Sequence, residues 1–285
     1  MRQGLTLRAL KAAGIEKLKS AQLPTPGLDT RILLLHISGW EVSDLIVKDT
    51  EIVPQNWERQ FHELIDRRIA GEPIDHILGY SEFYGRAFKI NQDVLSPRPE
   101  TEGLVDQALK FLKPLHSPNI LDLGTGTGAI LITLLSEHLN AIGVGVDVSE
   151  RALCIAKQNG ETHQLSDRTV WLESNWFEKV DGTFDLIISN PPYIDDSAMN
   201  SLHVEVKLYD PDIALRGGKT GLDAYKTIIS NASEFLNPGG ALMFEIGFDQ
   251  GKSVTDLLKS SGFKSVKLFQ DLSGHDRVIT ASLGG

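Results

Sequence analysis

Phe184-Asp185-Leu186-Ile187-Ile188-Ser189 runs directly into Asn190-Pro191-Pro192-Tyr193, and this junction decides how the chain is read. The first six residues form an apolar run of the kind buried on both faces of a parallel sheet. Two consecutive prolines donate no backbone hydrogen bond and fix φ, so the strand ends here and the chain leaves the sheet stiffly. Ligands of open α/β sheets bind at that carboxyl edge. There Asn190 offers an amide oxygen, a stiff Pro191-Pro192 backbone can hold carbonyls outward, and Tyr193 can lay its ring on a flat π-system. Together they describe a slot for a planar nitrogen bearing two hydrogens, with no obvious strong base.

Outward from this junction, strand and helix patterns alternate. Strands are expected at 119–123, 141–148, 170–172 and 241–246, with helices at 127–137, 151–158 and 222–236. A helix at 253–260 and strands at 265–269 and 278–282 complete the tail. Such alternation predicts a doubly wound, mostly parallel sheet. Its first strand ends in Asp122-Leu123-Gly124-Thr125-Gly126-Thr127-Gly128, where glycines let the backbone approach a ligand and a helix N-terminus faces it. Asp147, about 20 residues further on, ends the second strand, where a carboxylate can take both hydroxyls of an adenosine ribose. Gly124-x-Gly126-x-x-Ala129 also satisfies the dinucleotide fingerprint, so this loop alone leaves a nicotinamide cofactor open.

Residues 1–77 read as a small all-α unit. Thr6 caps a helix through Lys19, Pro24-Thr25-Pro26-Gly27 breaks the chain, and helices follow at 28–37 and 54–70. The last carries Trp57, Phe61, Leu64, Ile65 and Arg68 at helical spacing. From Ile74 to Val94 the character changes, with Tyr80, Phe83, Tyr84, Phe88 and Ile90 set around Gly79 and Gly85. This suggests a β-hairpin, and 78–95 is read as the linker to a second domain at 96–285.

The 285 residues are 41% hydrophobic, enough for a sizeable core, and 38 acids against 28 bases give a net charge of −10. Non-specific attraction to nucleic acid or anionic membrane is therefore not a property of the whole surface. Cys154, the single cysteine, excludes an internal disulfide, fits a reducing compartment and is expected to be a small buried hydrophobe. No membrane span or secretory signal is visible. Arg2, Arg8, Lys11, Lys17 and Lys19 against Glu16 are read as a cytoplasmic helix, with an organelle transit peptide as the alternative.

Pairing the glycine loop with Asn190-Pro191-Pro192-Tyr193 resembles the amino- and amide-methylating S-adenosylmethionine enzymes. Further motifs sharpen this: Val94-Leu95-Ser96-Pro97-Arg98-Pro99-Glu100-Thr101-Glu102, Ala214-Leu215-x-Gly217-Gly218-x-x-Gly221-Leu222-Asp223, Glu245-Ile246-Gly247, and Asp271-Leu272-x-Gly274-x-Asp276-Arg277. In combination they resemble the HemK-type family of peptide-chain-release-factor glutamine methyltransferases over nearly the whole chain. Ser96 and Asp210 depart from residues common in that family.

The resemblance implies a helical substrate-recognition domain, a hairpin linker and a seven-stranded, Rossmann-like methyltransferase domain of the α/β class. It implies that S-adenosyl-L-methionine is held by Gly124, Thr125, Gly126, Thr127, Gly128, Asp147 and Asn190, with Trp176 flanking the adenine. Asn190, Pro191, Pro192 and Tyr193 then form the glutamine site, with Asn190, Pro191 and Tyr193 as catalytic candidates and no metal required. The implied partner is the Gly-Gly-Gln loop of class 1 release factors, met in the cytoplasm by a chain taken as a monomer, with no stable nucleic-acid or membrane partner. Glu100 and Glu245 both lie on family-like motifs: Glu245 has either a site role or a structural one at a strand end, and Glu100 has either a site role or an ion pair with Arg98 that fixes the loop. A nucleic-acid amino-methyltransferase acting on adenine or guanine uses nearly the same slot and is the alternative; a dehydrogenase and a non-catalytic binding module are weaker ones.

Overall fold

A computed structural model describes residues 4–283, and Arg2 lies outside them. The chain divides into two compact units, Met1–Gly79 and Tyr80–Gly285.

The first unit holds α1 (Leu7–Ser20), α2 (Pro26–Ser38), α3 (Asp44–Val47), α4 (Gln55–Ile69) and α5 (Ile74–Leu78). The Thr6 hydroxyl accepts from Ala9 N and so satisfies one of the free amides that open α1. Pro26 opens α2, where its missing N–H is no loss, and Gly39 closes that helix in the left-handed region. Leu10, Leu18, Leu33, Phe61 and Ile65 are fully buried at the centre. Arg68 continues the apolar stripe of α4 into this core. Its Nε donates to Asp29 Oδ2 at 2.8 Å, and Asp29 Oδ1 accepts from the Thr25 hydroxyl at 2.6 Å, so the buried charge is paired. Pro73 leads into a short turn of helix, α5, that Gly79 closes at φ 77°.

The hairpin opens the second unit as β1 (Tyr80–Phe83) and β2 (Arg86–Lys89), turning on Tyr84 and Gly85, both at positive φ. It is not a free linker. Phe83 and Phe88 are buried in the core of the second unit. Asn159 locks its outer strand, accepting from Lys89 N at 2.8 Å and donating to Lys89 O at 3.1 Å.

Then follow α6 (Glu102–Leu112), β3 (Asn119–Leu123), α7 (Ala129–Glu137), β4 (Ile142–Asp147), α8 (Glu150–Thr162), β5 (Thr169–Glu173) and β6 (Phe184–Ser189). The rest is α9 (Val204–Tyr209), α10 (Asp212–Leu215), α11 (Asp223–Phe235), β7 (Leu236–Glu245), α12 (Gly251–Ser260), β8 (Phe263–Gln270) and β9 (Asp276–Leu283). Seven strands form one doubly wound, Rossmann-like sheet in the order β5-β4-β3-β6-β7-β9-β8. The first five are mutually parallel, while β9 runs antiparallel to both β7 and β8.

Side chains alternate across the sheet. Ile120, Leu186, Ile188 and Met243 meet α6, α7 and the hairpin on one face. Leu121, Leu123, Ile187, Leu242 and Phe244 meet α11 and α12 on the other. Glycines make room for Trp171 between β4 and the helices, since a Cβ on Gly145 would come within 2.4 Å of its ring. Cys154 is exposed, contrary to expectation, because α8 turns Ala152, Leu153, Ile155 and Ala156 inward and leaves position 154 on its outer side. Among the described residues no helix is long and apolar enough to cross a membrane.

Candidate active site

Strand register brings the two singled-out stretches together. Leu123 pairs with Val146 on one side and with Ser189 on the other, while Ser189 pairs with Phe244. Gly124, Asp147, Asn190 and Glu245 therefore leave four adjacent strands at one level. They do so where the strand order reverses around β3, which is where a doubly wound sheet opens a crevice.

The glycine loop folds back on β4: Gly124 N and Thr125 N donate to Val146 O at 2.8 and 2.9 Å. Gly124, Gly126 and Gly128 all lie at positive φ. A side chain on Gly126 would meet open space, whereas one on Gly128 would strike Trp171 at 2.9 Å. The loop thus presents bare backbone outward at Gly126 and close packing inward at Gly128. Asp147 ties the loop to α8, its Oδ2 accepting from Gly126 N at 3.0 Å and its Oδ1 from Ser149 N at 2.9 Å. Burial nevertheless raises its pKa.

Beneath the loop Asp122 is fully buried. Its Oδ2 accepts from the Thr125 hydroxyl at 2.7 Å, and its Oδ1 has no partner among the described residues. Burial, with a smaller contribution from the charge of Asp147, pushes this carboxyl up to about 7.

A cavity of about 470 Å³ opens above these groups, within the size range of small-molecule sites. Gly124, Gly126, Asp147, Trp176, Asn190 and Pro192 line it, together with Ser149, Ile213, Ala214 and the run from Arg216 to Gly218. Trp176 is held at φ 51°, and a Cβ on Gly124 would lie 3.8 Å from its ring. Thr125, Thr127 and Gly128 do not line this cavity. Both threonines are buried, with Thr127 Oγ1 accepting from Ala129 N, so they shape the loop from below.

A second cavity of about 220 Å³ lies on the other side of Asn190, bounded by Pro191, Tyr193, Arg98, Glu245, Leu202 and Val206. Asn190 borders both. Its neighbours are braced from distant segments: Ile194 N donates to Leu215 O at 3.0 Å and Gly217 N to Ile194 O at 2.8 Å. Gln250 donates to Tyr193 O at 3.0 Å and to Gly221 O at 3.1 Å, while its own oxygen accepts from Gly247 N. Burial, then the charge of Glu245, lifts the Tyr193 hydroxyl to about 12.

Glu245 is buried, accepts the Thr101 hydroxyl at 2.5 Å, and is pushed by burial up to about 7. Arg98 does not pair with Glu100. It reaches the buried carboxylate of Asp210 at 2.6 Å, which draws the loop before α6 onto the segment after α9. Thr101 and residues 214–218 stand in the sequence only as parts of motifs with no role attached, and Gln250 is not singled out there at all. The repeated glycines of 217–221 signal the close backbone approach: a Cβ on Gly217 would lie 2.8 Å from Pro192 O. Among the described residues no cluster of three or more His, Cys, Asp or Glu is placed to hold a metal ion.

The residues present fit S-adenosylmethionine: open backbone at Gly126, the Asp147 carboxylate at the end of β4, the Trp176 indole on the wall and a cleft of small-molecule size. Family models match at residues 9–79, the PrmC N-terminal domain, and at residues 103–207, the methyltransferase small domain. A release factor glutamine methyltransferase of Agrobacterium fabrum is 40% identical over 96% of both chains. One of Cereibacter sphaeroides is 39% identical over 96% of this chain and 97% of its own. A methyltransferase structure from Pyrococcus furiosus shares the fold with a TM-score of 0.51 at 21% identity, over 78% of this chain and 96% of that one.

Proposed function

The chain belongs to the release factor glutamine methyltransferase family, and we propose that it methylates the side-chain amide nitrogen of the glutamine in the Gly-Gly-Gln motif of class 1 release factors. S-adenosyl-L-methionine, bound in the larger cavity, supplies the methyl group as an electrophile on its sulfonium. The observation that carries this reading is the place of Asn190, which borders both cavities at the carboxyl edge of the sheet.

Gly124, Gly126, Asp147 and Trp176 hold the methyl donor, with Thr125, Thr127 and Gly128 setting the loop that carries them. Asn190, Pro191, Pro192 and Tyr193 hold the glutamine. An amide nitrogen is a poor nucleophile because its lone pair is delocalised into the carbonyl, so alignment does much of the work. Asn190 Oδ1 and Pro191 O accept its two hydrogens, aim the nitrogen across the boundary, and stabilise the positive charge that grows there as the new bond forms. Tyr193 flanks the amide plane. The nitrogen gains the methyl carbon as the methyl's bond to sulfur breaks, the electron pair staying on sulfur as a neutral thioether, and gives up one proton to water.

Met1–Gly79 recognises the release factor and leaves the methyl donor to the second unit, a division supported by the separate matches to residues 9–79 and 103–207. The chain acts as a cytoplasmic monomer in translation termination. Incubation with methyl-labelled S-adenosylmethionine and either a class 1 release factor, its Gly-Gly-Ala variant, or total RNA and DNA tests the substrate. Label in the intact factor alone is expected; label in nucleic acid and none in the factor refutes the reading in favour of a base amino-methyltransferase.

A further inference from the structure

Asn190 can do its work in only one of two orientations. Its oxygen and nitrogen are similar in shape, and a flipped side chain would offer N–H groups to a substrate amide that needs an acceptor. The orientation must therefore be fixed from behind. Asn190 Nδ2 donates to Thr101 Oγ1 at 3.3 Å, and Oδ1 accepts no hydrogen bond from the described residues.

A threonine hydroxyl can donate or accept, so this contact alone would not choose between the two ends of the amide. The choice is made one step further back. The single hydroxyl hydrogen of Thr101 goes to Glu245 Oε2 at 2.5 Å, and an ionised carboxylate only accepts. Strand register holds Glu245 level with Asn190, and Glu245 is 2% exposed, at the edge of the smaller cavity.

We propose that Thr101 is a positioning residue, and that Glu245 polarises the chain Asn190 to Thr101 to Glu245 in one direction so that Asn190 keeps its oxygen toward the substrate. This rests on the release-factor reading above. Glu245 is faced by Thr101 and Glu100 from the turn before α6, Tyr193 after β6, Arg277 from β9, and the Tyr225 hydroxyl of α11 on its backbone oxygen. Burial, and less so Glu100, oppose its ionised form, while the Thr101 hydroxyl, Arg277 and the Tyr193 hydroxyl favour it, which places its titration at about 7. Once protonated, Glu245 can donate to Thr101, whose hydroxyl is then free to turn onto Asn190 and reverse the amide. Methyl transfer should accordingly fall as pH drops through about 7.

The test compares full-length wild type with Thr101→Val, Thr101→Ser and Glu245→Gln in single turnovers at saturating S-adenosylmethionine and release factor, across that pH range. Thr101→Val keeps the shape and removes the hydroxyl; its rate should fall roughly 10- to 100-fold, as for lost alignment, with binding of both substrates little changed. Thr101→Ser should recover most of the rate. The acid limb of the wild type should be absent from Thr101→Val and from Glu245→Gln. Thr101→Val at the wild-type rate, or Thr101→Ser as slow as Thr101→Val, overturns the relay. So does an inactive Glu245→Gln beside a normal Thr101→Val, which would put Glu245 to work on the substrate directly. A wild type inactive on the release factor overturns the functional reading and the relay with it.

Discussion

At the scale of single residues, Asp122 illustrates what a functional loop costs its fold. The ordinary carboxyl of the unfolded chain titrates near 3.8, whereas the buried one titrates at about 7. Between those values the folded chain holds a proton that the unfolded chain has released. Its contribution to stability therefore falls as pH rises from about 4 to about 7 and stays low above that. Asp122→Asn keeps an acceptor for the Thr125 hydroxyl and removes the charge. It should raise the melting temperature clearly at about pH 8, by a stability gain of a few kcal/mol, with the gap narrowing toward about pH 5. Thermal melts at both values check this; an equal gap at both, or a loss at the higher one, would contradict it. Composition gives no hint of this strain. The sequence places Asp122 before a glycine loop, but only the register of β3 between β4 and β6 shows that its side chain faces the packed interior.

At the scale of elements, the strand ends were readable because their causes are local: an apolar run, then two prolines or a glycine. The observed β3 and β6 coincide with the expected spans for that reason. α6 was not anticipated, although Leu104, Val105, Ala108 and Leu112 at helical spacing were its signal. α9 and α10 are too short for periodicity to reveal. The braces behind Asn190-Pro191-Pro192-Tyr193 were not legible because they join segments far apart in the chain, as Gln250 does with Tyr193 and Gly221. Gly221 tests that brace. It sits at φ 68°, and an added Cβ would lie 2.3 Å from Tyr193 O and 2.6 Å from Gln250 Nε2. Gly221→Ala should cost about 1–3 kcal/mol in a denaturant titration and slow methyl transfer further than that loss explains, since the backbone of the slot must move. Unchanged activity in a stable variant would show that the brace does not hold the slot.

At the scale of the whole molecule, the chain divides after Gly79, where helix gives way to an aromatic hairpin. Assignment of that hairpin to the second unit needed Phe83, Phe88 and Asn159 in place. A chain beginning at Tyr80 retains the sheet, its hairpin and every residue lining the larger cavity. It should bind S-adenosylmethionine in calorimetry much as the full chain does, yet methylate a release factor far more slowly; a normal rate would remove the first unit from recognition. Alignment by Asn190 is the proposed source of the rate, and rapid-quench single turnovers on an intact release factor, with saturating methyl donor, measure it. Asn190→Ala should lose about two orders of magnitude or more in rate with little change in release-factor affinity. Asn190→Asp should also be slower than wild type, because its charge alters the neutral slot beside a cationic sulfonium. Near-normal turnover by Asn190→Ala, or an Asn190→Asp rate that matches or exceeds wild type, would contradict the account.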